Sequence, residues 1–292
     1  MGVAARAGCD GVSRSARAAA VLALAALAGI AGAARAHDFW LEPSTFRPPP
    51  GSTAAVRLRV GEQFLGDPVL RSDAAIERFV VRQDGRETKV GGIEGGDPAG
   101  WFIVGGGAAV IAYASKPTFV ELPAPRFEAY LRRYGLEATI AARARNGERN
   151  EPGREIFSRQ AKAILAGARP SPGASRPLGL RYEIVPVGDP SFTPTAFHGR
   201  VLYEGEPVAG ALVTALLRGD PRIRLTTRSD AAGAFAFALP RTGVWLVESV
   251  RMVKASFFSR ADWESLWASL TFETVAPPSA SGKHAPAQRP PE

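Results

Sequence analysis

Trp101-Phe102-Ile103-Val104, then Gly105-Gly106-Gly107, then Ala109-Val110-Ile111-Ala112-Tyr113 decides the fold class. Two short runs rich in β-branched and aromatic residues flank a cluster of turn formers, which is the grammar of a β-hairpin. A phosphate-cradling loop would need a helix start and a Lys-Ser/Thr pair after the glycines, and neither follows. The same grammar extends outward. Ala54 to Val60 alternates in polarity, and Arg78-Phe79-Val80-Val81-Arg82 runs into the turn Gln83-Asp84-Gly85-Arg86. Residues 37–167 are therefore read as a β-sandwich with a helical insert at about 123–167. In that insert Phe127, Tyr130, Leu131, Tyr134 and Leu136 recur at helical spacing. The stretch from Arg154 to Leu165 reads equally as helix or strand.

A Pro/Ser/Gly-rich stretch, 168–177, reads as a linker or surface loop. Beyond it, 178–276 shows at least six more strand patterns, including His198 to Tyr203, Ala234 to Leu239 and Val244 to Val250. The fold class is thus mainly β: two sandwich units, immunoglobulin-like or transthyretin-like, with a short helical insert. Residues 277–292 are Pro/Ala/Ser-rich and read as a disordered tail.

The whole chain has 292 residues, 36 Lys+Arg, 28 Asp+Glu, one cysteine and three histidines. Its 31 Gly and 24 Pro exceed the roughly 12% of average proteins, as a turn-rich β fold requires. Residues 1–36 carry Arg6, Arg14 and Arg17, an apolar run from Ala18 to Ile30, and the small-x-small site Ala34-Arg35-Ala36. That order reads as a secretory signal cut before His37, and the absence of a twin-arginine pair points to the general secretory route into the periplasm. Cleavage would remove four arginines, Asp10 and the only cysteine, Cys9, leaving 32 basic and 27 acidic side chains, net +5. Nucleic acid is not an expected partner, since the basic residues of the insert are interleaved with glutamates and the compartment is wrong.

In the second unit, Gly205-Glu206-Pro207-Val208-Ala209-Gly210-Ala211-Leu212-Val213, followed by the Asp230-Ala231-Ala232-Gly233-Ala234-Phe235 turn, resembles carboxypeptidase-regulatory-like or transthyretin-like sandwiches. Asp230 and Gly233 suit a tight turn that leaves Phe235 and Phe237 on one face. Four other stretches occur together: His37-Asp38-Phe39-Trp40-Leu41-Glu42-Pro43, Val60-Gly61-Glu62, Gly153 to Arg159 with Ala161-Lys162-Ala163, and Gly243-Val244-Trp245-Leu246-Val247. With them the chain, over about 37–274, resembles the NikM-like domain-of-unknown-function family. The resemblance implies an exported component of nickel or cobalt uptake, a divalent ion as cargo, and an inner-membrane metal transporter as partner. It also implies a role for His37. Where relatives carry Val-His-Met this chain reads Val250-Arg251-Met252, and arginine cannot ligate a cation.

Cleavage before His37 would present an imidazole and a free α-amine, whose ordinary pKa is about 7.7–8.0. Two nitrogens on one residue form a chelate suited to Cu(II) or Ni(II). Asp38, Glu42 or a second imidazole, for which His198 is the candidate, would complete the shell. The candidate metal residues are therefore His37, Asp38 and His198. The competing reading makes His37 merely the first residue of an edge strand anchored by Phe39 and Trp40. A metal-independent envelope module for protein or glycan is the alternative function, and an oxidative copper enzyme a third. No G-x-S-x-G, H-E-x-x-H or Walker loop is present, so no enzyme activity is expected. Asp262, Glu264 and Glu273 near Trp263 and Trp267 could line a carbohydrate cleft, but packing of a terminal strand accounts for them more simply.

Overall fold

The computed structural model describes residues 37–276. The stretch 1–36, read as a leader ending in a cleavage site, and the stretch 277–292, read as a tail and carrying His284, lie outside them. In chain order the first strands are β1 (Asp38–Pro43), β2 (Thr53–Glu62), β3 (Leu65–Val69), β4 (Ile76–Gln83), β5 (Arg86–Lys89), β6 (Gly100–Ile103), β7 (Ala109–Ser115) and β8 (Thr118–Leu122). Two helices follow, α1 (Ala124–Arg133) and α2 (Glu137–Arg145), and then β9 (Gly153–Leu165). The remainder is β10 (Tyr182–Pro186), β11 (Ala196–Tyr203), β12 (Glu206–Pro207), β13 (Leu212–Leu217), β14 (Asp220–Arg228), β15 (Ala234–Ala238), β16 (Gly243–Lys254) and β17 (Trp263–Thr274). The chain is mainly β, as its alternation implies.

A nine-stranded sheet runs β14-β13-β16-β17-β9-β7-β4-β5, with β8 also on β9, and a four-stranded sheet lies against each of its faces. Alternate residues of β7 show this layering. Val110, Ala112 and Ala114 join the core shared with Tyr182, Phe197 and Phe235 of the β10–β11–β15 sheet. Ala109, Ile111 and Tyr113 join the core shared with Phe39, Leu41, Val56 and Leu58 of the β1–β2 sheet. A strand covered on both faces has no polar side, and all of β7 is buried. The two expected sandwiches thus share their middle sheet. The stretch 168–177 lies within this unit, with Ala174 buried and Arg82 donating to the carbonyls of Gly173 and Pro177.

The joint between the halves is the pairing of β9 with β17, in parallel from Trp263 opposite Glu155 to Thr271 opposite Ala163. The ambiguous stretch is accordingly strand, and the helical insert ends with a 3-10 turn at Glu148–Asn150. Hairpin chemistry follows the sequence: Asp84 and Gly85 both take positive φ, 50° and 76°, the turn whose twist matches its flanking strands. Asp230 accepts from the N–H groups of Ala232 and Ala234 through one carboxylate oxygen, and Phe235 and Phe237 enter the same core.

Burial on both faces also encloses charge. Lys162 of β9 lies 2.7 Å from Glu183 of β10 with both side chains sealed from water. Glu183 additionally accepts from the N–H groups of Leu178, Gly179 and Leu180. Burial pulls the Lys162 ammonium below its ordinary value while Glu183 opposes the shift. Removing one member of such a pair strands the other charge in the core. Lys162→Met should therefore lower stability by about 3 kcal/mol, read as a drop in the urea midpoint; a midpoint equal to that of the unaltered protein would refute it.

Candidate functional site

His37 stands immediately before β1, and the antiparallel register of Asp38 with Gly61 sets it beside Glu62 at the end of β2. Its Nδ1 is 3.4 Å from Glu62 Oε1, with side chains 24% and 47% exposed. That Nδ1 is itself shielded and has no hydrogen-bond partner among the described residues. Arg133, at the last turn of α1, reaches the same Glu62 oxygen at 3.1 Å and lies 4.0 Å from Asp38 Oδ2.

Asp38 points inward and is only 1% exposed. Tyr134 donates to its Oδ1 at 2.6 Å, which fixes the first strand residue against the helix. Burial, and then the neighbouring Asp38, push the Glu248 carboxyl of β16 well above the usual range. Asp38 Oδ2 has no hydrogen-bond partner among the described residues, and Glu248, held neutral, is the neighbouring carboxyl with a proton to share. Asp38 thus anchors the strand, and the half-exposed carboxylate next to His37 is Glu62, with which Arg133 pairs. Glu42 is engaged by Arg59 and Arg218.

His198 does not meet His37. It is exposed on β11, in register with Ala236 of β15, and belongs to the outer layer on the opposite face of the central sheet. Arg251 also faces away from His37. Along β16, Trp245 and Val247 enter the core on the β11 side, while Leu246 meets Trp40 and Phe64 on the β1 side. Arg251 keeps the odd-numbered direction, with its guanidinium 4.5 Å from the Tyr203 ring centroid. The departure from Val-His-Met therefore falls on the face away from His37. Among the described residues no group of three or more His, Cys, Asp and Glu side chains is arranged to hold a metal ion; the α-amine of a processed chain is a donor outside such a count.

A second buried carboxyl lies under α1. Glu155 opens the parallel register opposite Trp263, and neither of its oxygens has a partner within hydrogen-bond geometry among the described residues. Burial pushes it up to about 7, with Tyr130 and Ser265 drawing it back. Tyr130 stacks on Trp267 at 5.6 Å, and Trp267 Nε1 donates to Ser265 Oγ at 3.1 Å. The tryptophans of β17 are thus packing residues: Trp263 and Trp267 are both buried.

The family model of the domain of unknown function DUF4198 matches residues 34–252. The chain belongs to that family. The DUF4198 match takes in His37, Glu62, Arg133 and Glu248, and ends inside β16. No curated protein matches the chain. One solved structure, titled as a tetra-tandem repeat in the extending region of a large adhesion protein, aligns over 83% of this chain and 50% of its own at 12% identity and a TM-score of 0.20. The chain thus spans about half the length of that protein.

The raised Glu155 has a pH consequence. Folded, it titrates near 7 against an ordinary 4.5, so the folded state holds the proton more tightly. Its contribution is complete below about pH 4.5 and is lost as pH rises through 7, amounting to about 3 kcal/mol. Glu155→Gln should remove that fall, measured by urea unfolding at pH 5, 6, 7 and 8; equal pH slopes in both proteins would sink the assignment.

Proposed function

We propose that this protein is an exported, non-enzymatic carrier of a divalent transition-metal ion, and that His37 becomes its first residue and primary ligand. The observation that carries this reading is the Nδ1 of His37: shielded, without a hydrogen-bond partner among the described residues, and 3.4 Å from the half-exposed Glu62 carboxylate. In an N-terminal histidine, Nδ1 and the α-amine close a chelate ring through Cα, Cβ and Cγ. Glu62 then supplies an oxygen donor. Nitrogen-rich chelation suits nickel, cobalt or copper over calcium or magnesium. Nickel or cobalt is the cargo favoured by the resemblance to the NikM-like group, with copper as the alternative.

Arg133 gives the site a gate in charge. While the site is empty its guanidinium neutralises Glu62, and an arriving cation takes that place. Asp38, Tyr134 and Glu248 hold the N-terminal residue in position from below. The ion would be delivered in the periplasm to an inner-membrane transporter. A single chelating residue with one carboxylate leaves coordination positions open, as a handover requires.

Isothermal titration of protein beginning at His37 should show one equivalent of Ni(II) or Cu(II), bound more weakly at pH 5 than at pH 8 because both nitrogens must shed protons. One alanine placed before His37 should weaken binding by at least about a hundredfold, and Glu62→Gln by about tenfold. His198→Ala should leave it unchanged. Unaltered affinity in the alanine-extended protein would overturn the proposal.

A further inference from the structure

The β16–β17 hairpin runs on to the pairing of Lys254 with Trp263, beyond Ser249, where the pairing of β16 with β13 ends. Its connecting loop carries Phe257 and Phe258, each 95% exposed. The two rings meet edge to face with centroids 5.7 Å apart, so they cover one another and little else. The other large exposed hydrophobic residues described reach at most 67%. Neighbouring aromatic pairs in the core gain from being dry; this one is displayed to water in the loop that joins β16 to β17.

Cations stand on both sides of the tip. Lys254 Nζ lies 4.0 Å from the Trp263 ring centroid and the Arg260 guanidinium 3.9 Å from that of Phe119. Neither belongs to an ion pair among the described residues. Two of the nearby acids are engaged: Arg154 holds Asp262 through two hydrogen bonds, and Arg181 holds Glu264; Glu121, in register with Arg154 on β8, is exposed. What the loop offers is two unsheltered aromatic rings flanked by two unpaired positive charges.

We propose that this loop is a membrane-docking finger, with Phe257 and Phe258 entering the headgroup–acyl boundary of an anionic bilayer while Lys254 and Arg260 contact lipid phosphates. Two phenylalanines bury roughly 300–500 Å², well short of the roughly 800 Å² each partner gives to a stable protein interface. A bilayer boundary demands no such matched area, accepts aromatic rings at its interface, and attracts adjacent basic residues when its lipids are anionic. The attachment is peripheral and reversible, because two side chains are far fewer than a membrane span requires.

The experiment is flotation of the full mature chain with vesicles of phosphatidylglycerol and phosphatidylcholine in equal parts, and with phosphatidylcholine alone, in the presence of chelator. The protein should float with the anionic vesicles and less with the neutral ones, and added salt should release it. Phe257→Ser with Phe258→Ser should lower the bound fraction about tenfold or more without moving the thermal midpoint, since both side chains are exposed. Lys254→Gln with Arg260→Gln should weaken binding to anionic vesicles several-fold and leave neutral ones unaffected. Flotation of the double phenylalanine variant equal to that of the original protein, or no flotation of the original, overturns the proposal. So does size-exclusion chromatography showing a dimer that the double phenylalanine variant alone loses, because the finger would then serve a second copy of the chain.

Discussion

β17 lies parallel to β9 while its other edge pairs antiparallel with β16, and the rest of the structure is built around that placement. It joins the strands of the first half to those of the second in one sheet, so the middle layer has a partner on each face. A doubly covered strand must be apolar throughout or must pair whatever polar groups it keeps. β9 keeps Lys162, paired with Glu183, and Glu155, held by pKa adjustment instead of by a counter-charge. The hydroxyl of Thr271, near the C-terminal end of the parallel register, donates to Leu41 O of β1 at 2.8 Å, which couples the joint to the strand that His37 begins.

Much of the fold could be read locally. Hairpins announce themselves through alternating runs and turn residues within a few positions, as at Asp84-Gly85 and Asp230 to Gly233. The parallel pairing could not be read in this way, because its partners stand about a hundred residues apart and no turn connects them. The same burial on both faces erased the alternation that would have marked 154–165 as strand, leaving a segment in which Ala, Ile and Leu sit beside Lys162 and Gln160. Tertiary context decided it.

The candidate site divides along the same line. His37 is conspicuous because a cleavage pattern precedes it, and Glu62 follows from it once β1 and β2 are registered. Arg133, Tyr134 and Glu248 come from a helix and a distant strand, and no spacing joins them to residue 37. Asp38 shows the limit from the other side: adjacency to His37 in sequence suggested shared chemistry, but alternation along a strand turns successive side chains to opposite faces. The neighbour in sequence is therefore an anchor, and the neighbour across the ladder is the half-exposed carboxylate.

The position of β17 also bears on how the molecule comes into being. A chain delivered N-terminus first has β9 ready long before β17, and in the meantime one long edge of the growing sheet has unfilled hydrogen-bonding groups along residues 155–163. The middle layer closes only when the last strand has been inserted between β9 and β16. Neither half has a complete middle sheet of its own without β17, whose two edges are filled by β9 and β16.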